Sequence, residues 1–295
     1  MIAFPNCKIN LGLSIIAKRT DGYHALETVF YPVHLQDMLE IIHSDNTAKE
    51  IIFSNTGLAI PGDETQNLCV KAYYLLKKDF PHIPAVKMHL HKQIPMGAGL
   101  GGGSSDGTAA LKLLNQQFNL KLNSTQLVNY AAQLGSDCPF FVYDHPCQAS
   151  GRGEILNEQV CDLSAYKIAL IHPGIHVSTA WAFSQLKPHA KEKSITEILA
   201  QPIETWKNSL INDFEAPIFL AHPVLQDIKN ELYKQGALYA SMSGSGSSLF
   251  GIFPATHTCS ILFEFSLFSI SLYKSMLLMS ILFILIEIIS ALHLG

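Results

Sequence analysis

The run of glycines at residues 97–103 constrains this chain more than any other stretch. Five of these seven residues are glycine, and the run leads through Ser104, Ser105 and Asp106 into residues 108–114, which favour a helix. A glycine-rich loop that opens into a helix brings backbone N–H groups to the helix N-terminus, where the helix dipole favours an anion. The pattern therefore predicts a phosphate site. A surface turn capped by Ser105 or Asp106 is the alternative, but such a turn does not require five closely spaced glycines.

Two common phosphate loops are excluded by the flanking sequence. The spacing of Gly97, Gly99 and Gly102 matches the dinucleotide fingerprint, but residues 86–92 alternate between apolar and polar instead of forming a continuously apolar strand. Residues 111–126 contain no Asp or Glu to bind a ribose. No Gly-Lys-Ser/Thr follows the glycines, so the loop is not a P-loop. The lysine that a phosphoryl-transfer site needs must come from elsewhere in the chain.

The glycine stretch resembles the phosphate-binding motif of the GHMP kinases. The resemblance implies an α+β, two-domain fold with the active site in the cleft between the domains, an N-terminal domain over 1–150 and a C-terminal domain over 151–253. It also implies that ATP is the phosphate donor and that Mg²⁺ bridges its phosphate oxygens, with no protein metal cluster expected. The residues that it assigns to ATP binding are Pro95, Met96, Gly97, Ala98, Gly99, Leu100, Gly101, Gly102, Gly103, Ser104 and Ser105.

Two further motifs supply candidate catalytic residues. Residues 7–16 alternate as a strand does, which places Lys8 and Asn10 on one face. Taken alone, this segment favours the solvated face of an edge strand. Residues 5–11 are similar, however, to the opening motif of the family, which implies that Lys8 lies at the hydroxyl being phosphorylated and that Asn10 binds substrate. A lone Asp137 after a helix is usually a cap or turn residue, but residues 135–141 resemble the family motif in which this aspartate is catalytic.

A third motif points to the acceptor. Residues 19–24 contain the turn signal Asp-Gly followed by Tyr23 and His24. They resemble the branch of the family that phosphorylates the 2-hydroxyl of a cytidine-diphosphate-linked polyol in non-mevalonate isoprenoid synthesis. The resemblance implies that Tyr23 stacks on the cytosine, that His24 hydrogen-bonds its edge and that Phe183, or else Trp181, covers its other face. Another small-molecule kinase of the family and an inactive nucleotide-binding protein remain open as alternatives.

Composition sets further limits on function. The net charge is −4 and the 20 basic residues form no cluster, which argues against a nucleic-acid partner. Six scattered cysteines without a Cys-x-x-Cys pair indicate reduced thiols, and with no secretory signal at the N-terminus they predict a cytoplasmic protein. The apolar residues 254–295 do not match the family pattern. An altered reading frame is the favoured interpretation, and a divergent core helix or a membrane contact remains open.

Local patterns predict several elements. Residues 67–78 form an amphipathic helix, and a second helix runs over 125–134, capped by Ser124 and ended by Gly135. The apolar residues that follow Asp137 are strand-like. Residues 212–215 read as capping and packing of a helix, whereas the Gly/Ser run at 240–251 resembles the family motif that packs against the active site.

Overall fold

Long strands open the chain and helices follow them. The computed structural model describes residues 1–45, 48–189, 191–257 and 282–286. The strands are β1 (Ile2–Ala3), β2 (Asn6–Lys18), β3 (His24–Gln36), β4 (Met38–His43), β5 (Ile51–Gly57), β6 (Val86–Lys92), β7 (Cys147–Ser150), β8 (Ile155–Glu158), β9 (Tyr166–His172), β10 (Tyr239–Met242), β11 (Leu249–Pro254) and β12 (Leu282–Ile286). The α-helices are α1 (Leu68–Asp79), α2 (Gly102–Gln117), α3 (Ser124–Leu134), α4 (Phe140–Tyr143), α5 (Thr179–Ser184), α6 (Ile195–Leu199), α7 (Glu215–Ala221) and α8 (Pro223–Lys234). Short 3₁₀ turns lie at Glu64–Gln66 and Ile203–Asn208.

The chain divides into two compact units. The first unit contains Met1–Lys8, Phe30–Met96 and Leu100–Glu158, and the second contains Ile9–Val29, Gly97–Gly99 and the described residues from 159 onward. Strands β2 and β3 carry residues of both units, in a sheet with the order β2-β3-β7-β8. The domain boundary predicted after residue 150 stays a prediction.

The first unit is built on a sheet with the order β1-β4-β6-β5. Strand β5 runs parallel to β6, and β4 runs antiparallel to it. On β6 the apolar Val86, Met88 and Leu90 are buried, while alternate residues are partly exposed. These side chains join a core with residues of α1, α2 and α3. The half-exposed alternation predicted for this strand is therefore present, and it lets three helices cover one face of the sheet.

The second unit is built on an antiparallel sheet with the order β10-β11-β9-β12. Helices α7 and α8 contribute Phe219, Leu225 and Leu232 to an apolar core that also includes Leu249 of β11. The backbone of β12 pairs antiparallel with that of β9. Apart from this strand and residues 254–257, the predicted atypical tail lies outside the described residues.

Two local predictions are corrected by the structure. The strand-like run after Asp137 is helical over Phe140–Tyr143. Here the proline at 139 starts a helical turn, and tertiary packing overrides the strand propensity of two phenylalanines. The cap of α3 is Asn123, which forms a reciprocal capping box with Gln126, so Ser124 is already the first helical residue. The predicted end of α3 at Gly135 is confirmed, because Gly135 is the C-cap, with an extended φ of 175°, and its N–H donates to the Ala131 carbonyl.

Candidate active site

The glycine stretch forms a loop that ends as the first turn of α2. Gly101 occupies the N-cap position with a left-handed φ of 71°, and no side chain caps the helix. Because Gly101 has no side chain, no N-cap side chain accepts a hydrogen bond from the first N–H groups of the helix, at Gly102, Gly103 and Ser104. Uncapped N–H groups and the helix dipole together favour an anion at this position. The glycine stretch therefore opens into a helix as its sequence predicts, and a phosphate site at this position stays a prediction.

Lys8 lies beside this loop, within the first unit. Its backbone N–H donates to the carbonyl of Leu100 at 2.9 Å. A Cβ placed on Gly101 would come within 3.1 Å of the Lys8 side chain, so glycine lets the lysine run along the loop. The Lys8 ammonium is 3.6 Å from an oxygen of Asp137 and 5.0 Å from the centre of the Phe30 ring. Sequence motifs 129 residues apart therefore meet as one ion pair.

Lys8 and Asp137 differ in how far their side chains are exposed to solvent. The Lys8 side chain is 4% exposed and that of Asp137 is 33% exposed. Burial lowers the pKa of the Lys8 ammonium below its ordinary value, and the Asp137 carboxylate partly opposes this effect. The expected solvated strand face is therefore wrong, because Lys8, Asn10 and Ser14 are all buried. A lysine whose pKa is lowered by burial, paired with a half-buried carboxylate, marks a candidate functional site.

Hydrogen bonds to the backbone of Gly135 and Cys138, which lie on either side of Asp137, hold the segment that carries this residue. The Thr108 hydroxyl of α2 donates to the carbonyl of Cys138 at 2.9 Å, and the Cys138 N–H donates to the Gly135 carbonyl at 3.2 Å. The same Thr108 hydroxyl also contacts the Ser104 carbonyl at 2.9 Å. Helix α2 thus holds both the phosphate loop and the segment that carries Asp137.

The predicted base-binding residues lie in the second unit. The rings of His24 and Phe183 are stacked, with centroids 5.1 Å apart and an interplanar angle of 21°. The Phe183 ring also forms a T-shaped pair with that of Phe214, with centroids 4.9 Å apart. Tyr23 is 57% exposed in the turn that joins β2 to β3, and Trp181 is 37% exposed on α5. The structure thus brings Phe183, and not Trp181, onto His24.

Asn10 is buried in a polar network of the second unit. Its side-chain amide donates to the Thr28 hydroxyl at 3.0 Å, and that hydroxyl donates to the Gly12 carbonyl at 2.5 Å. The Ser243 hydroxyl lies 3.4 Å from the Asn10 side-chain oxygen and donates to the Gly99 carbonyl at 2.9 Å. The Gly/Ser run at 240–251 therefore contacts the start of the glycine loop through Ser243 and Gly99.

Comparisons with known proteins agree with this geometry. A family model described as the GHMP kinases N-terminal domain matches residues 67–145, and one described as the GHMP kinases C-terminal domain matches residues 195–257. A protein of Bacteroides thetaiotaomicron named 4-diphosphocytidyl-2-C-methyl-D-erythritol kinase is 54% identical over 253 residues, which is 86% of this chain and 92% of that protein. A protein of Cytophaga hutchinsonii with the same name is 50% identical over 254 residues, with the same shares covered. The chain belongs to the GHMP kinase family.

Solved structures support this family at the level of the fold. A crystal structure of 4-(cytidine 5′-diphospho)-2C-methyl-D-erythritol kinase has a TM-score of 0.74 and 30% identity, covering 85% of this chain and 90% of that one. A homoserine kinase from Cytophaga hutchinsonii has a TM-score of 0.63 at 17% identity, covering 84% and 85%, and supports the fold alone. The predicted GHMP kinase family and its α+β fold are therefore confirmed.

Sequence reasoning missed how the Gly/Ser run at 240–251 is held. Asn212 donates to the carbonyls of Met242 and Gly244 at 2.7 and 2.9 Å. Glu215 is buried and accepts the Met242 N–H at 2.8 Å and the Ser241 hydroxyl at 3.0 Å. The reading of residues 212–215 as helix capping was thus incomplete, because Asn212 and Glu215 clamp the Gly/Ser loop. The sequence signal for this role is Glu215 itself, an acid at the start of the otherwise apolar helix α7.

Membrane-spanning helices and metal-binding clusters are both absent from the described residues. No helix among them combines the length and the apolar character needed to cross a bilayer. Nor do the described parts of the chain contain a group of three or more His, Cys, Asp or Glu side chains that could hold a metal ion.

Proposed function

We propose that this GHMP kinase transfers the γ-phosphate of ATP to the 2-hydroxyl of 4-diphosphocytidyl-2-C-methyl-D-erythritol. The observation that carries the proposal is the ion pair of buried Lys8 with Asp137, 3.6 Å apart, beside the uncapped start of α2. Relatives that carry this enzyme name match about nine-tenths of their own length at 50–54% identity. The arrangement and the similarity therefore support the same reaction.

Asp137 and Lys8 have different roles at the acceptor hydroxyl. Asp137, the more exposed partner, accepts the hydroxyl proton, a role that typically contributes about 10²–10⁴-fold to the rate. Lys8 stabilises the negative charge that develops on the acceptor oxygen, and its burial strengthens this interaction because water does not screen it. In a loose phosphoryl-transfer transition state, positioning and charge dominate over full proton abstraction.

ATP fits the glycine loop, and Mg²⁺ fits as a companion of ATP. The N–H groups at the start of α2 are the donors for the phosphate oxygens. Mg²⁺ typically retains several waters and binds substrate phosphates with few protein ligands. Bound Mg²⁺ would neutralise charge on the phosphates during transfer.

The cytidine end of the acceptor is assigned to the second unit. Phe183 is held on one edge by Phe214 and stacked on His24, so its ring is pre-oriented for a planar base. Tyr23 is exposed beside His24 and offers a second aromatic face. Base stacking on such rings contributes about 1–3 kcal/mol per base. The acceptor identity and a cytoplasmic location are both parts of this proposal.

Steady-state kinetics with two isosteric variants test the catalytic assignment. Lys8→Met and Asp137→Asn should each lower kcat by at least about 10²-fold while the melting temperature stays within a few degrees of wild type. Lys77→Ala and Asp79→Ala are the matched controls in the same unit. The Lys77 ammonium donates to the Ile83 carbonyl, and Asp79 accepts the Tyr130 hydroxyl at 2.7 Å.

The outcome separates catalysis from folding. Both control variants should retain normal turnover. A folded Lys8→Met or Asp137→Asn enzyme with near-normal kcat would refute the assignment. Wild-type turnover with a cytidine-free polyol phosphate at the same kcat/KM would instead refute the acceptor identity.

A further inference from the structure

Three buried charges form a network beneath the phosphate loop, outside the catalytic pair. Lys92 is the last residue of β6, and its ammonium donates to a carboxylate oxygen of Asp37 and to one of Asp106, the latter at 2.7 Å. The other Asp37 oxygen accepts the backbone N–H groups of Gln93 at 2.5 Å and of Ile94 at 2.8 Å. The network therefore joins the segment between β3 and β4, the end of β6 and the first turns of α2.

The network lies in direct contact with the start of α2. A Cβ placed on Gly102 would be 3.0 Å from the Lys92 nitrogen and 2.7 Å from a methyl of Ile94. Asp106 lies one helical turn after Gly102 on the same helix face. Lys92 thus contacts both ends of the turn that carries the N–H groups of Gly103 and Ser104.

Burying the charges of Asp37, Lys92 and Asp106 has a free-energy cost that their mutual attraction does not obviously offset. Lys92 and Asp37 have fully buried side chains, and the Asp106 side chain is 4% exposed. Burying ion pairs costs desolvation that the attraction often fails to offset, and apolar replacements of similar volume are frequently as stable. A cation beneath a helix N-terminus also opposes the helix dipole. One Asp106 oxygen is buried without a hydrogen-bond partner among the described residues, which adds a further cost.

We propose that Asp106 and Lys92 are positioning residues for ATP, a role that rests on the proposed binding of ATP phosphates by the glycine loop. Lys92 is fixed to the sheet by Asp37, whose own carboxylate is fixed by two backbone N–H groups. Asp106 fastens α2 to this fixed ammonium. The first turn of α2 is therefore held at a set height on the sheet, and its N–H groups keep the orientation that a phosphate requires.

The test compares two ends of the same helix. Asp106→Ala removes the fastening at the start of α2. Asn115→Ala is the matched control near its end, where the Asn115 side chain donates to the Leu122 carbonyl at 3.0 Å and accepts the Leu122 N–H at 2.9 Å. Asp106→Asn is the conservative variant, because its side-chain oxygen still accepts a hydrogen bond from Lys92. Calorimetric affinity for Mg-ADP, which needs no acceptor, and thermal melting are measured for all three variants and the wild-type chain.

We expect Asp106→Ala to weaken Mg-ADP binding about tenfold and Asp106→Asn about threefold, because hydrogen bonds to charged groups are stronger than neutral ones. Asn115→Ala should lower the melting temperature and leave the affinity unchanged. An Asp106→Ala chain that melts earlier but binds Mg-ADP within about twofold of wild type would show a purely structural role and overturn the proposal. If Asp106→Ala does not fold, an unchanged affinity of Asp106→Asn overturns it instead. Loss of Mg-ADP binding by the wild-type chain would overturn the ATP site itself, and with it both proposals.

Discussion

Alanine substitution at two glycines of the phosphate loop separates close packing from backbone conformation. Gly97 and Gly99 both have left-handed backbone conformations, with φ values of 63° and 80°. A Cβ on Gly97 would meet nothing within 4 Å. A Cβ on Gly99 would lie 2.0 Å from the Ser243 carbonyl oxygen and 3.2 Å from that of Gly246. The two positions therefore share the strain of a left-handed alanine but differ in the space available.

The expected costs follow from these distances. A left-handed conformation costs a non-glycine residue about 1–2 kcal/mol, and both variants pay it. Gly99→Ala must in addition move a backbone oxygen by roughly 1 Å, and overpacking of this kind typically costs about 1–3 kcal/mol more. Since about 1 kcal/mol shifts the melting temperature of a large domain by roughly 2–4 °C, we expect a loss of about 3–6 °C for Gly97→Ala and about twice that for Gly99→Ala.

Differential scanning fluorimetry and steady-state kinetics provide the assay. Gly99→Ala should also lower kcat/KM for ATP, because the Ser243 hydroxyl that bonds the Gly99 carbonyl is displaced together with its backbone. Gly97→Ala should show a smaller kinetic effect. Equal melting temperatures for the two variants would refute the close approach of the Gly/Ser loop to Gly99.

Three further predictions concern single side chains. Burial raises the pKa of Asp106 to about 7, so the contribution of Asp106 to stability is complete below the unfolded pKa near 4 and is lost as pH rises through 7. The melting temperature of wild type minus that of Asp106→Asn should therefore fall between pH 5 and 8. A difference that stays constant with pH would contradict this prediction. Phe183→Ala should raise KM for the cytidine substrate at least about tenfold, with Trp181→Ala changing it less than about twofold. Glu215→Gln should cost about 1.5–3 kcal/mol in urea unfolding, since the buried carboxylate accepts three hydrogen bonds, including one from Lys229 at 2.6 Å.

Local patterns in the sequence were sufficient to predict part of this structure. The alternation in residues 7–16 predicted a strand, and the helix predicted over residues 67–78 is present as α1, with Asn67 as its N-cap. Asn67 bonds the Cys69 N–H at 2.9 Å, which is the usual chemistry of that position. Such features depend on neighbours a few residues away, and a linear pattern contains that information.

Features set by distant contacts were not accessible in the same way. Burial of Lys8 required knowledge of the residues that cover β2, and the alternation alone favoured a solvated face. The Asp37–Lys92–Asp106 network joins residues separated by 55 and 14 positions. Nothing in the local sequence pairs these charges, because the contact exists only after β6 and α2 pack together. The family resemblance located the loop but gave no role to the network beneath it.

The two buried lysines of the first unit illustrate opposite uses of burial. Lys92 is enclosed by two carboxylates, whose attraction outweighs desolvation, and its pKa is raised above the ordinary value. The Lys8 ammonium lies 3.6 Å from a carboxylate oxygen of Asp137, and desolvation lowers its pKa. An ammonium with its charge already offset holds structure, whereas one that is only partly offset still attracts further negative charge. In the proposed mechanism, the less neutralised lysine lies where charge develops on the acceptor oxygen, and the more neutralised one lies where the phosphate loop must stay fixed.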